Sequence, residues 1–171
     1  NPMGKISSIL KRALRYIIKG VPVVNVNAEI SLSSPTEKLA GKKVIITGGG
    51  RGLGAAMAKK FVQEGASVLI TGRNEDTLKK TSKEIGCSYL VLDMMSPEKF
   101  DKFISDAESK LGGLDVLVNN AGLALGTEPA HNASLDDWMR MTDTNIKGLM
   151  ALTHAVLPAM VARDSGNIIT V

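Results

Sequence analysis

The sequence predicts an α/β protein whose helices cover both faces of a parallel sheet, a doubly wound arrangement. From Lys42 onward, short β-branched apolar runs alternate with stretches of helical periodicity, and a glycine-rich loop follows the first apolar run. Strands that are apolar throughout are typical of sheets buried on both faces. With 171 residues, 44% of them hydrophobic, the chain is long enough for one domain with a sizeable core.

Strands and helices are predicted to alternate along residues 41–171. The predicted strands are Val44–Thr47, Ser67–Thr71, Tyr89–Leu92, Leu114–Val118 and Asn167–Val171. Helical stretches are predicted at Leu53–Gln63, at 75–85, after Ser96-Pro97 and over about 134–162. Serine is a favourable N-cap and proline suits the first helical turn, so the third helix has a clear start. This order indicates one domain built on a parallel sheet.

Residues 1–40 differ in character from this domain. The apolar residues of 5–19 recur with the 3.6-residue period of an amphipathic helix, which Gly20 and Pro22 end, and residues 21–40 are predicted to be a linker. Residues 1–28 hold five basic residues and no acid; without those five, 16 basic residues face 17 acidic ones, a net −1. Three interpretations stay open: packing on the body or a partner subunit, peripheral contact with an anionic membrane through residues 5–19, and organelle targeting.

The composition excludes several classes of protein. The main body has no surplus of positive charge, so no nucleic-acid partner is expected. Cys87 is the only cysteine, which rules out an intramolecular disulfide and favours a reducing compartment. No run approaches the ~18 consecutive apolar residues of a membrane span, and the first residues lack a secretory signal. We expect a cytoplasmic protein without a metal site.

The loop at 47–54 is typical of a dinucleotide-binding turn. It reads Thr47-Gly48-Gly49-Gly50-Arg51-Gly52-Leu53-Gly54 and joins the first strand to the first helix. Glycines there let the backbone approach a pyrophosphate, which the helix N-terminus attracts through free N–H groups and its dipole. The G-x-G-x-x-G/A fingerprint fits only as Gly50, Gly52 and Ala55. The strand-to-helix context nevertheless favours a Rossmann-type site over a purely structural turn.

The end of the second strand favours NADP(H) over NAD(H). NAD sites usually carry an acid about 20 residues after the glycine loop, where it binds the ribose 2′-hydroxyl. Here the segment reads Thr71-Gly72-Arg73-Asn74. Arg73 can pair with a 2′-phosphate, and Arg51 in the loop could reach the same group. The alternative is that both arginines are ordinary solvated side chains.

Four motifs in order resemble the short-chain dehydrogenase/reductase family over residues 41–171. They are the glycine loop, Asp93 after the third strand, Asn119-Asn120-Ala121-Gly122 after the fourth, and Asn145 within the last long helix, followed by the strand Gly166–Val171. The resemblance implies that Gly48, Gly52 and Gly54 carry the diphosphate and that Asp93 bonds the adenine. It also implies roles for four later residues. Asn119 lies by the adenosine and stabilises the central strands, Ala121 and Gly122 pass close to the cofactor, and Asn145 holds a helix kink and anchors a water of the catalytic proton relay.

The chain departs from that family in its catalytic residues. The family places a serine after the fifth strand and a Tyr-x-x-x-Lys motif on the next helix, whereas this sequence reaches Val171 at the point where the serine is due. Tyr16 and Tyr89, the only tyrosines, are followed four residues later by glycine and aspartate. The resemblance therefore predicts a truncated or incompletely recorded chain, with a sheet incomplete at its C-terminal edge.

Three functions follow from these observations. The first is an NADP(H)-dependent oxidoreductase of a small carbonyl or alcohol substrate, catalytically competent only with residues beyond Val171. The second is a catalytically inactive NADP(H)-binding protein with a membrane- or partner-binding N-terminal helix. The third, an S-adenosylmethionine-dependent methyltransferase, fits the glycine loop but not Asn119-Asn120-Ala121-Gly122. For an enzyme of this kind the resemblance implies a homodimer or homotetramer built on the helix that holds Asn145.

Overall fold

The computed structural model describes residues 37–171 of the chain. The predicted helix over 5–19 and most of the predicted linker lie outside the described residues, so the interpretations of that segment stay predictions. The described part begins with a turn at 37–41 that bonds to the turn before the second strand, through Leu39 N to Glu64 O (2.9 Å) and Gly41 N to Gly65 O (3.2 Å). Leu39 also packs on the core, so residues just before the predicted boundary at 41 take part in tertiary packing.

Strands and helices alternate as the sequence predicts. The strands are β1 Lys43–Thr47, β2 Ser67–Gly72, β3 Ser88–Val91, β4 Val116–Asn119 and β5 Asn167–Thr170. The α-helices are α1 Gly52–Gln63, α2 Glu75–Ile85, α3 Phe100–Leu111, α4 Leu135–Thr142 and α5 Leu149–Ala162. Short 3₁₀ turns occupy Pro97–Lys99 and Ala130–Asn132, and a π-helical turn fills Asp143–Gly148 between α4 and α5. The observed strand limits differ from the predicted ones by one or two residues.

All five strands are parallel and lie in the order β3-β2-β1-β4-β5. The chain first adds strands on one side of β1 and then crosses to its other side for β4. Connections leave β1 and β4 in opposite directions, which opens a crevice beyond their carboxyl ends. The predicted doubly wound fold is therefore confirmed, with β3 and β5 as the edge strands.

Two apolar cores lie on opposite faces of the sheet, because successive strand residues point to opposite sides. Ile45, Leu69 and Leu117 face a core formed with α3 and α5. Val44, Ile46 and their neighbours on β2 and β4 face a second core formed with α1 and α2. Burial on both faces explains why β1, β2 and β4 carry near-continuous apolar runs.

The predicted long helical stretch over about 134–162 is confirmed, since Leu135–Ala162 is helical throughout. The stretch consists of α4, the π-turn and α5, and Asn145 lies within the π-turn, where its side chain holds a neighbouring loop (below). By length and composition alone, Leu135–Ala162 could cross a membrane, with a mean hydropathy of 1.2 over its most apolar 18 residues. Charged residues interrupt it at Asp136, Asp137, Arg140, Asp143 and Lys147. The buried side chains of α5, such as Leu152, belong to the domain core, and 22% of the most apolar 18-residue window is buried.

Candidate cofactor-binding site

A cleft of about 520 Å³ opens at the carboxyl ends of the strands. It lies where parallel α/β sheets bind ligands, and its volume is in the ordinary range for a cofactor pocket. Most of the predicted site residues line it: Thr47, Gly48, Gly50, Arg51, Leu53, Gly54, Arg73, Asp93, Ala121 and Gly122. The fold thus gathers the ends of β1, β2, β3 and β4 around one space.

Close approach of backbones explains two glycines of the loop. Gly48 has φ +65°, and a Cβ there would lie 3.0 Å from both Ala121 Cα and Asn120 Nδ2. A Cβ on Gly54 would overlap the carbonyl oxygen of Gly48 and lie 2.6 Å from Asn120 Nδ2. Only glycine fits these positions, so the loop folds tightly against the end of β4.

Thr47 and Asn120 tie the glycine loop to β4. The buried Thr47 hydroxyl accepts hydrogen bonds from Asn120 N (2.9 Å) and Ala121 N (2.8 Å), and donates to Val118 O (3.3 Å). In return, Asn120 Nδ2 donates to Thr47 O at 2.9 Å and to Gly48 O at 3.4 Å. This network fixes the two loops that form the floor of the cleft.

The N-terminus of α1 is open to an anion. Its N-cap, Arg51, makes no side-chain capping bond, and the first turn holds no acid. By contrast, Asn74 caps α2 and Ser134 caps α4, each followed by two acids in the first turn. The first N–H groups of a helix need partners from elsewhere and carry partial positive charge. An anionic group in the cleft would supply both the acceptor and the charge.

Two arginines and one aspartate give the cleft its charge. Arg51 and Arg73 are exposed on its rim, and neither forms an ion pair within residues 37–171. Asp93 lies at the end of β3, where its Oδ1 accepts a hydrogen bond from Met95 N at 3.0 Å. The aspartate therefore shapes its own turn and also faces the cleft.

Asn145 anchors the loop that follows β4. Its Oδ1 accepts from Leu123 N at 2.9 Å, and its Nδ2 donates to Leu123 O at 2.8 Å. A side chain that bonds both polar groups of one residue fixes that residue's backbone. The π-turn thereby sets the position of the 121–123 segment.

Three predicted site residues do not line the cleft: Gly52, Asn119 and Asn145. Gly52 has φ +54° and open space around it, so backbone conformation accounts for it. The buried Asn119 donates to Thr153 Oγ1 at 2.9 Å and so links β4 to α5, while its Oδ1 has no hydrogen-bond partner among the described residues. The expected role of Asn119 beside the adenosine stays a prediction, and its neighbour Asn120 faces the cleft instead.

The cleft also contains residues that the sequence did not single out. Asn120, Asn74, Thr77, Met94 and Thr144 all line it. The doubled asparagine at 119–120 was a signal for Asn120, since in a strand one of two adjacent side chains must point to the other face. No sequence pattern indicated Thr144 or Met94, because the fold alone brings the π-turn and the segment after β3 to the cleft.

Acid/base side chains are scarce in the cleft. Its described lining contains no tyrosine, histidine, lysine or cysteine. Tyr89 has its hydroxyl 3.5 Å from Glu75 Oε1, and His131 and His154 are exposed elsewhere. Burial raises the pKa of the Cys87 thiol to about 11, outweighing a backbone hydrogen bond that lowers it. No group of three or more potential metal ligands occurs in residues 37–171.

Residues 42–171 match the short chain dehydrogenase family. An NADP-dependent 3-hydroxy acid dehydrogenase from Shigella flexneri is 42% identical over 130 residues, which are 75% of this chain and 52% of that protein. A crystal structure of serine dehydrogenase from Escherichia coli is 42% identical, with a TM-score of 0.70 over 74% of this chain and 60% of that one. The closed form of serine dehydrogenase complexed with NADP+ is also 42% identical, with a TM-score of 0.71 over 74% of this chain and 52% of that one.

The chain spans about half the length of the curated relatives it matches. The match covers the whole sheet and the cleft, and the family motifs occur at the residues that build them: the glycine loop, Asp93, the 119–122 segment and Asn145. A family match over most of the chain, together with relatives at 42% identity, excludes the methyltransferase alternative. The chain belongs to the short-chain dehydrogenase/reductase family.

Proposed function

We propose that this chain binds NADP(H) in the cleft and forms the cofactor-binding part of an NADP(H)-dependent oxidoreductase. The observation that carries the proposal is that the α1 N-terminus, without a side-chain cap, lies on one rim of the cleft with two arginines that form no ion pair within residues 37–171. NADP(H) carries a diphosphate and a 2′-phosphate. The helix N-terminus suits the diphosphate, and the arginines suit the 2′-phosphate. The NADP named for the Shigella flexneri relative and for the serine dehydrogenase complex supports the same cofactor.

The residues divide between the two anionic parts of the cofactor. Gly48 and Gly54 keep the loop free of side-chain atoms, so the diphosphate reaches the N–H groups at the start of α1. Arg73, at the end of β2, and Arg51 pair with the 2′-phosphate. Asp93 bonds the adenine as an acceptor.

The proposed substrates are carbonyl or alcohol compounds. NADPH supplies a hydride to a carbonyl, and NADP+ accepts one from an alcohol. The 121–133 segment would border the reacting end of the cofactor, and its first residues are small or apolar (121–126). The relatives named for 3-hydroxy acid and serine dehydrogenation suggest hydroxy acids as the first compounds to test.

The proton-transfer residues are proposed to lie outside the cleft described here. Reduction of a carbonyl needs a proton donor at the substrate oxygen, and the described lining offers only Asp93 and two arginines as ionisable groups. The 171-residue chain is therefore expected to bind NADPH without turning over. The alternative function, an inactive NADP(H)-binding protein, predicts the same result for this chain. The two functions can be distinguished in a longer form that contains the Tyr-x-x-x-Lys motif. Inactivity of that form toward hydroxy acids would favour the alternative.

The test of cofactor choice is the substitution Arg73→Ala, measured by NADPH and NADH titration. Loss of a charge-assisted contact should weaken NADPH binding by roughly 1–3 kcal/mol, about 5- to 150-fold in affinity, and leave the affinity for NADH nearly unchanged. Lys80→Ala, an exposed cation on α2 that does not line the cleft, is the matched control. Equal losses for both cofactors would remove the 2′-phosphate assignment, and absence of NADPH binding by the unmutated chain would remove the proposed function.

The proposed quaternary arrangement is a homodimer or homotetramer that associates through one face of the π-turn and α5. Ile146, Met150, Leu157 and Val161 are 40–73% exposed, and their spacing of four, seven and four residues forms one stripe. A contiguous apolar surface on a soluble domain is typical of an interface. Sedimentation of Met150→Glu should show a smaller species than the unmutated chain, with Lys102→Glu on α3 as control; a monomeric unmutated chain at high micromolar concentration would overturn this.

A further inference from the structure

Gly148 makes a close backbone contact that no role assigned so far explains. It is the buried last residue of the π-turn and has ordinary helical torsions, φ −61° and ψ −45°. A Cβ at this position would overlap the carbonyl oxygen of Met94 and lie 3.0 Å from Met94 Cβ. Glycine costs about 1 kcal/mol relative to alanine within a helix. Conformation does not require glycine here, so the close approach of Met94 does.

Met94 belongs to one wall of the cleft. Leu92, Asp93 and Met94 follow β3 and all line the cleft, and Leu92 N donates to Gly72 O at 2.9 Å. The overlapping atom is a backbone oxygen, so a change of side-chain rotamer cannot relieve the contact. A side chain at 148 would have to move the 92–94 segment itself.

The same π-turn holds the other wall. Asn145 bonds both backbone groups of Leu123, and Thr144 lines the cleft between the two walls. Within six residues, one helical turn therefore contacts the segment that follows β3 and the segment that follows β4. The extra residue of a π-turn changes which side chains face a given direction, and such turns are frequent at functional sites.

We infer that Gly148 is a positioning residue for the adenine side of the cleft: its missing side chain sets the distance between the π-turn and the 92–94 wall. This inference rests on the proposed binding of NADP(H). Displacing Met94 moves Asp93, its neighbour, and so the wall that faces the adenine. The 2′-phosphate and diphosphate contacts belong to other segments and are not touched directly.

The test compares Gly148→Ala with Gly166→Ala in the 171-residue chain. A Cβ on Gly166 would press on Met160 Cγ and Sδ at 2.5 Å, but Gly166 precedes β5, at the end of the sheet opposite the cleft, and is not part of the cleft lining. Both variants should lower the melting temperature through overpacking. Adenosine 2′,5′-bisphosphate, titrated by calorimetry, should bind Gly148→Ala about tenfold more weakly and Gly166→Ala within about twofold of the unmutated chain.

The outcomes separate the two proposals. Binding of adenosine 2′,5′-bisphosphate by Gly148→Ala at unmutated strength, or an equal loss in Gly166→Ala, overturns the positioning role and leaves NADP(H) binding in place. Failure of the unmutated chain to bind NADPH overturns the proposed function and this inference together. Where Gly148→Ala does not fold, hydrogen exchange of the unmutated chain decides. Adding adenosine 2′,5′-bisphosphate should slow exchange across Asp143–Gly148, and protection that stops at the 92–94 wall refutes the inference.

Discussion

Placing a side chain at Gly54 tests whether the glycine loop is the diphosphate site. A Cβ there would overlap Gly48 O and approach Asn120 Nδ2 to 2.6 Å, well inside normal van der Waals separation. Gly48 cannot retreat freely, because Ala121 Cα lies only 3.0 Å from where a Cβ of Gly48 would be, and because Asn120 is bonded to Thr47. The loop must therefore change shape at the point where backbone N–H groups would meet the diphosphate.

The magnitude follows from the cost of overpacking a fixed backbone. Such insertions typically cost about 1–3 kcal/mol, and each 1.4 kcal/mol is about tenfold in affinity. The bound state requires the undistorted loop, so most of that cost falls on binding. Gly54→Ala should weaken NADPH binding by roughly 5- to 150-fold, and Gly54→Val, with its larger side chain, should abolish measurable binding.

NADPH fluorescence titrations measure the effect, with melting temperatures recorded alongside. Gly86→Ala is the control, since Gly86 has φ +79°, open space around it and a place at the end of α2 away from the cleft. It introduces left-handed strain of about 1 kcal/mol without touching the loop. The control should melt at a lower temperature and bind NADPH normally. Unchanged NADPH affinity in Gly54→Val would refute the assignment of the loop to the diphosphate.

Three further predictions concern the loop network, the cysteine and the N-terminal segment. Thr47→Val leaves two backbone N–H groups without their acceptor, so urea unfolding should show a loss of about 1–3 kcal/mol, which Thr47→Ser restores in large part. With its pKa raised to about 11, Cys87 should react slowly with iodoacetamide at pH 8 and faster toward pH 11, and rapid alkylation of the folded chain at pH 8 would contradict the raised pKa. Because the thiol of the unfolded chain has the lower pKa, the free energy of unfolding should fall as the pH rises from about 9 to 11. Deleting residues 3–20 should leave NADPH affinity intact, since the cleft is lined by residues from Thr47 to Thr144; a weakened affinity would show that the segment contributes to the site.

The sequence predicted the sheet well because its strands are buried on both faces. Near-continuous apolar runs such as Val44–Ile46 arise only where both sides need filling, and all three of these side chains are fully buried. β5 was predicted on the same basis, although most of it is exposed at the sheet edge. Predicted strand ends differ from the observed ones by up to two residues, because hydrogen-bonded pairing rather than composition decides where a strand stops.

The sequence could not predict the π-turn. Helical periodicity continues through 143–148, and a single inserted residue shifts the pattern by too little to be read from composition. What fixes the turn is tertiary: the bonds of Asn145 to Leu123, and the contact of Gly148 with Met94. The placing of Asn120 rather than Asn119 in the cleft has the same origin, since both residues suit a strand end and only the fold decides which of them faces the cleft.

The cleft shows why binding and proton transfer can reside in different parts of such a protein. Every described residue that lines it lies between Thr47 and Thr144, and β5 contributes none of them. The groups proposed to bind the anionic parts of the cofactor therefore follow the ends of β1 to β4, which pair into a sheet with two cores of their own. On the proposed assignment, backbone N–H groups and arginines would hold the hydride donor, whereas protonating a substrate oxygen needs an ionisable side chain at the far end of the cofactor. Binding measured on this chain would thus report the cofactor contacts separately from the chemistry.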